Sequence, residues 1–312
     1  MNEKTYKFNE MKKDQLKDLI DEFGADIKFD YDLKKKNWFN IGGKSKIFYK
    51  ANDLKKLVTF LKKLDNREKI FVLGAGSNVL ISDVTFDGVV IKMSKNFNNI
   101  SFLGEDILIA GSAVLDKTLS EFAMKNDLSG FEFLSCIPGT IGGGIRMNAG
   151  CFGKEFKDIL ISIQAIDSLG NIRTIQSKDI NFDYRKNDLS DDLIFLSASF
   201  KGTKSISNKI NSEMQKLKKE KEKNQPTQVK TSGSTFKNPI YQTKKKVWEL
   251  IKDSVSLEKT FGDAGISEKH CNFFVNKGNA TFEDMTKLID YVTKKVLEKN
   301  GIKLEKEIKI LE

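Results

Sequence analysis

The chain has 312 residues, 39% of them hydrophobic and 31% charged, a balance that excludes disorder, a collagen-like fibre or a coiled coil for the whole and leaves room for two domains of roughly 150 residues. The single histidine, His270, excludes a paired-histidine or three-histidine metal site within one chain, and three cysteines without C-x-x-C spacing, Cys136, Cys151 and Cys271, fit reduced thiols better than a disulfide framework. The formal net charge of +10 raises nucleic acid as a partner, but it is mostly lysine, scattered among Asp and Glu, and the reading is no nucleic acid.

The N-terminal segment, residues 1–36, has no apolar core of signal-peptide length, and nowhere does the chain approach the ~20 apolar residues of a membrane helix. The expectation is a cytoplasmic protein with no membrane partner. Residues 37–203 alternate short β-rich runs with helical patterns. Residues 46–50, 70–73, 88–93, 107–110 and 193–200 read as strands. Residues 52–64 read as a helix with Leu54, Leu57, Val58, Leu61 and Leu64 on one face, and residues 115–126 as a second, with Leu115, Leu119, Phe122 and Ala123. A lysine-rich amphipathic helix over 205–224, striped by Ile206, Ile210, Met214 and Leu217, marks the junction with a C-terminal domain, residues 204–312. That domain holds a helix over 281–300, started by Thr281 and Asp284 and ended by Gly301. Its final strand sets Ile302, Leu304, Ile308 and Ile310 on one face and Lys303, Glu305, Glu307 and Lys309 on the other. The mixed pattern predicts an α+β or α/β fold.

Between the strand at 70–73 and the next apolar run lies Gly74-Ala75-Gly76-Ser77-Asn78. Glycines let backbone N–H groups converge on an anion and Ser and Asn add neutral donors, so the loop suits a diphosphate, with a tight structural turn as a close competitor. It departs from the Rossmann fingerprint because Val79 holds the third glycine position. A P-loop at Gly42-Gly43-Lys44-Ser45 is excluded, since Trp38 stands where its first glycine belongs. The densest glycine segment runs from Cys136 through Pro138-Gly139-Thr140-Ile141-Gly142-Gly143 to Asn148 and Gly150. Two such loops in one domain suggest a dinucleotide held at its phosphates and its ring.

Three residues carry candidate chemistry. Arg185, one of only four arginines, suits a carboxylate or a developing enolate, with a surface arginine as an equal alternative. Ser234 follows a glycine without a G-x-S-x-G elbow or an obvious base, so it suits proton donation better than acylation, and a turn serine is favoured by spacing alone. Glu307 lies on the polar face of the last strand, where a solvated pair with lysine is the ordinary reading. His270 reads as structural, and Cys136 and Cys151 as packing residues.

Together the segments resemble the UDP-N-acetylenolpyruvoylglucosamine reductase family. The resemblance rests on Asn-Ile-Gly-Gly (40–43), Val-Leu-Gly-Ala-Gly-Ser-Asn-Val-Leu-Ile-Ser-Asp (72–83), Phe-Glu-Phe-Leu-Ser-Cys-Ile-Pro-Gly-Thr-Ile-Gly-Gly-Gly (131–144) and Met-Asn-Ala-Gly (147–150). It continues through Tyr-Arg (184–185), Gly-Ser-Thr-Phe-Lys-Asn-Pro (233–239), Ser-Glu-Lys-His-Cys-Asn-Phe-Phe-Val-Asn (267–276) and Leu-Glu-Lys-Glu-Ile (304–308). It implies an FAD-binding domain of the vanillyl-alcohol-oxidase (PCMH) type followed by a smaller substrate-binding domain. NADPH would reduce FAD, and an enolpyruvyl UDP-sugar would then take its place and receive the hydride. The resemblance assigns Arg185 and Glu307 to the enolate-like intermediate and Ser234 to its protonation. Gly74, Ala75, Gly76, Ser77, Asn78, Pro138, Gly139, Thr140, Gly142, Gly143, Asn148 and Gly150 fall to non-covalent FAD, and Tyr184, Lys237 and Asn238 to substrate. The short span after Arg185 implies the shorter, type II form, expected as a monomer. Cys136 departs from a usual glycine, Lys230 from a usual proline and Ser254-Val-Ser from a typical Ala-Gly-Leu. The alternatives are a flavin oxidase of the same fold and a colourless nucleic-acid-binding module.

Overall fold

A computed structural model describes residues 13–64 and 69–312; the first twelve residues of the expected N-terminal segment lie outside the described residues. Helix α1 (Lys13–Phe23) leads into a four-stranded sheet ordered Ile27–Asp32, Lys44–Ala51, Phe86–Met93, Ile70–Val72. The first pair is antiparallel and the others parallel. Helix α2 (Leu54–Lys63) covers this sheet with Leu57, Phe60 and Leu61, packed with Tyr49, Val89 and Ile91. Its start follows from Asp53, whose Oδ1 accepts from the Lys56 amide at 3.0 Å, as an N-cap does.

The second layer is a five-stranded antiparallel sheet ordered Ile172–Gln176, Leu160–Ile166, Ile194–Lys201, Ile107–Gly111, Ile100–Phe102. Helices α3 (Asp116–Lys125) and α4 (Ile141–Arg146) close its core through Leu119, Ala123, Ile141 and Ile145. Helix α5 (Ser207–Asn224) buries Ile210, Met214 and Leu217, and Ser120 of α3 donates to the Met214 sulfur at 3.7 Å. Ile206, read as part of the stripe, is 71% exposed, because the helix begins one residue later and Ile206 only flanks its first turn.

A third core forms around helices α6 (Val247–Ser254) and α7 (Phe282–Asn300) and the short sheet Thr260–Phe261, Ala264–Ile266, Phe274–Asn276. Phe39, Ile41 and Leu80 from the N-terminal half also pack into it. Met285, Leu288, Ile289, Val292 and Val296 of α7 are buried, each worth roughly 1.5–3 kcal/mol. The capping box is present: Thr281 Oγ1 accepts from the Asp284 amide at 3.1 Å, and Asp284 Oδ2 accepts from the Thr281 amide at 3.0 Å. Gly301 ends the helix at φ 68°, a left-handed conformation natural to glycine.

The predicted final strand is shorter than its alternation implies. Only Lys309–Leu311 forms a ladder, parallel to Val79–Ile81. The preceding residues run along the loop at 235–237, the Glu307 amide donating to the Thr235 carbonyl at 2.8 Å and the Lys237 amide to the Glu305 carbonyl at 2.9 Å. The backbone bonds expected of a sheet are made to a loop, so the chain is extended without being a strand. The ladder brings the C-terminus against the first glycine loop, and the second pairing sets the residues before it against the loop at 235–237.

Candidate active site

A cavity of about 910 Å³ lies where the two glycine loops, the 231–238 loop and the C-terminal segment meet. Gly74, Ala75, Gly76, Ser77 and Asn78 line it, between the strands Ile70–Val72 and Val79–Ile81. Gly76 has φ 72°, and a Cβ there would strike the Lys36 carbonyl, so this turn requires glycine. Lys92 donates to the Gly74 carbonyl, and burial lowers its pKa. Asn78 ties the loop to the C-terminus by donating from Nδ2 to the Glu307 carbonyl at 3.1 Å.

Pro138, Gly139, Thr140, Gly142, Gly143 and Gly150 form another part of the wall. Side chains added to these glycines would take up space the loop packing uses: a Cβ on Gly139 would lie 2.5 Å from Asp116 Oδ2, and one on Gly142 would lie 3.1 Å from Ser112 Cβ. Asn148 does not line the cavity. It is fully buried, donating to Glu155 Oε2 at 3.0 Å and the Asp183 carbonyl at 3.1 Å while its Oδ1 accepts from the Lys157 amide. Its amide saturates with protein partners and fixes the loop, which the sequence pattern did not separate from a ligand contact.

Arg185 occupies the turn between the strands Phe182–Asp183 and Lys186–Asn187 at φ 58°. Its Nε donates to Glu307 Oε1 at 3.2 Å, its Nη2 to the Gly150 carbonyl at 2.6 Å and its Nη1 to Glu155 Oε1 at 3.5 Å. The Arg185 and Glu307 side chains are only 15% and 18% exposed, so Glu307 is not the solvated partner of a lysine that its strand position implies. Burial raises its pKa, against the opposing pull of Arg185. Ser234 lines the same cavity beside Gly233, at φ 79°. Tyr184 and Asn238 both line it and meet, the Asn238 amide donating to the Tyr184 hydroxyl at 3.2 Å. Lys237 lies outside the lining and pairs with Glu305 at 3.3 Å.

Sequence reasoning passed over Ser112, Asp116, Lys92 and Lys221, all in the lining. The Ser112 hydroxyl and both Asp116 carboxyl oxygens are buried without a hydrogen-bond partner, and burial raises the Asp116 pKa well above the carboxylate range. An acid at a helix start reads as an ordinary first-turn residue, so only its tertiary surroundings mark it. His270 lies outside the lining, its Nδ1 accepting from the Asn272 amide at 3.3 Å and its ring edge-on to Phe273. Among the described residues no cluster of His, Cys, Asp and Glu could hold a metal ion, and no helix is long and apolar enough to cross a membrane.

The volume, the side-chain-free glycine faces, the lysine at the first loop and the unpartnered polar groups on the wall all fit a large dinucleotide. Residues 46–176 match the FAD binding domain family, and residues 225–311 match the family described as UDP-N-acetylenolpyruvoylglucosamine reductase, C-terminal domain. Fold, cavity and family match define a flavoprotein oxidoreductase with an α+β FAD-binding domain and a separate C-terminal domain.

Among curated proteins the chain is 63% identical over 298 residues to UDP-N-acetylenolpyruvoylglucosamine reductase of Pelagibacter ubique, covering 96% of this chain and 99% of that one. It is 46% identical to the Rickettsia typhi enzyme of the same name, covering 91% and 95%. The crystal structure of UDP-N-acetylenolpyruvylglucosamine reductase from Thermus caldophilus superposes with a TM-score of 0.78 at 27% identity, over 92% of this chain and 98% of that one. The chain belongs to the UDP-N-acetylenolpyruvoylglucosamine reductase family.

Proposed function

We propose that the protein reduces the enolpyruvyl ether of UDP-N-acetylglucosamine to UDP-N-acetylmuramate, with FAD as cofactor and NADPH as reductant, in the synthesis of peptidoglycan precursors. The observation that carries the reading is the convergence of Arg185, Ser234 and Glu307, from three distant parts of the chain, on the cavity lined by both glycine loops. FAD held there would supply hydride chemistry, with NADPH as the source and the enolpyruvyl methylene carbon as the acceptor. The loop at 74–78, with Lys92 beside it, and the loop at 138–150 hold the dinucleotide, Asn148 acting by fixing the second loop. Arg185 holds the substrate carboxylate and stabilises the charge that develops as the adjacent carbon becomes enolate-like. Glu307, whose raised pKa lets it keep a proton to higher pH than an exposed glutamate, stabilises the same charge by sharing that proton with it. Ser234 delivers the proton to the carbon next to the carboxylate. Tyr184 and Asn238 position the sugar nucleotide, and Lys237 attracts its phosphates from outside the wall.

The reading includes a division into an FAD-binding domain over 37–203 and a substrate-binding domain over 204–312, on either side of which the two family matches fall. It also takes the enzyme to be a cytoplasmic monomer of the type II form. The test is anaerobic: the purified yellow protein is reduced with NADPH and then mixed with the enolpyruvyl substrate. Bleaching by NADPH and recovery of the oxidised spectrum with formation of the lactyl ether are expected. A colourless protein that takes up no added FAD refutes the reading, and a reduced flavin that only oxygen reoxidises makes the chain an oxidase.

A further inference from the structure

The cavity wall carries a pair of groups that the proposed reaction does not use. Cys136 closes the short helical turn Glu132–Cys136, and Cys151 ends the first strand of the hairpin of Gly150–Cys151 with Lys154–Glu155. Both line the cavity. Cys151 Sγ also donates to the Phe133 carbonyl at 3.2 Å, within the turn that carries Cys136. Lys221 of α5 donates from Nζ to the Cys136 carbonyl at 2.6 Å, which brings an ammonium group to the pair. The chain has only three cysteines in 312 residues, and two of them meet at the wall of a cofactor cavity.

We propose that Cys136 and Cys151 are a redox-active thiol pair in the wall of the flavin cavity, closed to an intrachain disulfide by hydroperoxides and shielded while the cavity is filled. The shielding rests on the FAD reading above; the pairing does not. The neighbouring Cys151 side chain, with the Ser135 hydroxyl 3.8 Å away and Lys221 adding to it, lowers the Cys136 thiol against the opposing effect of burial, while Cys151 is raised. The thiolate character of the pair therefore falls on Cys136. That thiolate attacks one peroxide oxygen, the O–O bond breaks, and the leaving hydroxide takes a proton from solvent and departs as water. Cys136 is then a sulfenic acid. Cys151 attacks its sulfur, the S–O bond breaks, and hydroxide leaves as water with the Cys151 proton. Two thiols have lost two electrons and two protons, and the peroxide has gained them. In a reducing compartment such a bond is transient, which suits a sensor rather than a structural staple.

Cys271 serves as an internal control. It is buried, donates to the Trp248 carbonyl at 3.0 Å, and its thiol is raised by burial. The full chain is prepared with FAD stripped and with FAD reloaded, loading being scored by flavin absorbance, and each form is exposed to hydrogen peroxide at neutral pH. Intact mass and peptide mapping follow the products. The stripped chain should lose two hydrogens, yield the peptides of Cys136 and Cys151 cross-linked, and recover its mass with a thiol reductant. Cys136→Ser and Cys151→Ser should each abolish the two-hydrogen loss, and Cys271→Ser should leave it unchanged. Oxygen addition without a cross-link, or a cross-link through Cys271, overturns the pairing in the wild-type chain, whatever the variants do. Equal rates with and without FAD overturn the shielding. A chain that takes up no FAD refutes the cofactor reading and leaves the mass measurement to judge the pairing.

Discussion

Replacing Glu307 by glutamine keeps the shape of the side chain and removes its ionisable proton, which separates the stability role of the Arg185 pair from its chemical role. Leaving a buried charge without a partner costs about 3–5 kcal/mol. Here Arg185 would not be orphaned: Nη2 still reaches the Gly150 carbonyl at 2.6 Å and Nη1 still reaches Glu155 at 3.5 Å, while the amide oxygen of glutamine can accept from Nε. The cost to folding should therefore stay near that of one weakened hydrogen bond, about 1 kcal/mol. At this chain length that is a drop of a few degrees in thermal midpoint. Because burial raises the carboxyl pKa, the wild type also loses stability as pH rises through the folded value, a loss the neutral glutamine does not share. The difference between the two proteins should narrow as pH rises from the ordinary glutamate value through the raised folded value. Chemistry should suffer far more, since removing one group that stabilises a developing charge costs about 10²–10³ in rate. Stopped-flow absorbance of the flavin separates the halves: reduction by NADPH should be close to wild type and reoxidation by the enolpyruvyl substrate should be slowed by that factor. Equal slowing of both halves, or a midpoint lowered by ten degrees or more, would refute the assignment.

Ser234→Ala should likewise spare reduction by NADPH and slow the second half by roughly 10²–10⁴, the range for a lost general acid; an intact second half would remove Ser234 from the chemistry. Gly76→Ala puts a Cβ against the Lys36 carbonyl at φ 72°, so it should cost about 1–3 kcal/mol of stability and weaken FAD binding. Thermal melts and flavin-fluorescence titration check this, and a variant unchanged in both would show that the first loop is not the cradle. Tyr241→Phe removes the hydroxyl that, with the Tyr184 amide and Lys186, holds the Asp183 carboxyl at about 2. A depressed carboxyl contributes stability above its unfolded pKa and loses it as pH falls through the folded value. The variant should therefore titrate closer to the ordinary carboxylate range, contribute less above it, and finish losing that contribution at higher pH. A carboxyl-resolved NMR titration with no upward movement of Asp183 would contradict the hydrogen bond.

Local pattern carried the helices well. The faces of α2 and α7 follow from their 3.6-residue period and from caps at Asp53, Thr281 and Gly301, all set by neighbours within a few positions. The site was legible only in part, for a physical reason visible at Glu307. Alternation placed it correctly opposite Leu304 and Ile308, but a period of two says which residues share a side and nothing about what that side meets. What it meets is Arg185, 122 positions away, across a turn that no periodicity describes. Asn148 marks the opposite limit, since an Asn in a glycine loop can serve a ligand or its own backbone, and the partners its side chain takes, Glu155, Lys157 and Asp183, follow no local pattern. The collinear motifs of the family decided what single residues could not. The geometry adds a separate argument for function at Arg185. A non-glycine residue at φ 58° costs free energy, and so does taking its charge and that of Glu307 out of water. A surface arginine in an unstrained turn would fold the hairpin more cheaply. Strain and desolvation concentrated on one pair in the wall of a cofactor cavity are what a site selected for charge stabilisation, rather than for stability, should display.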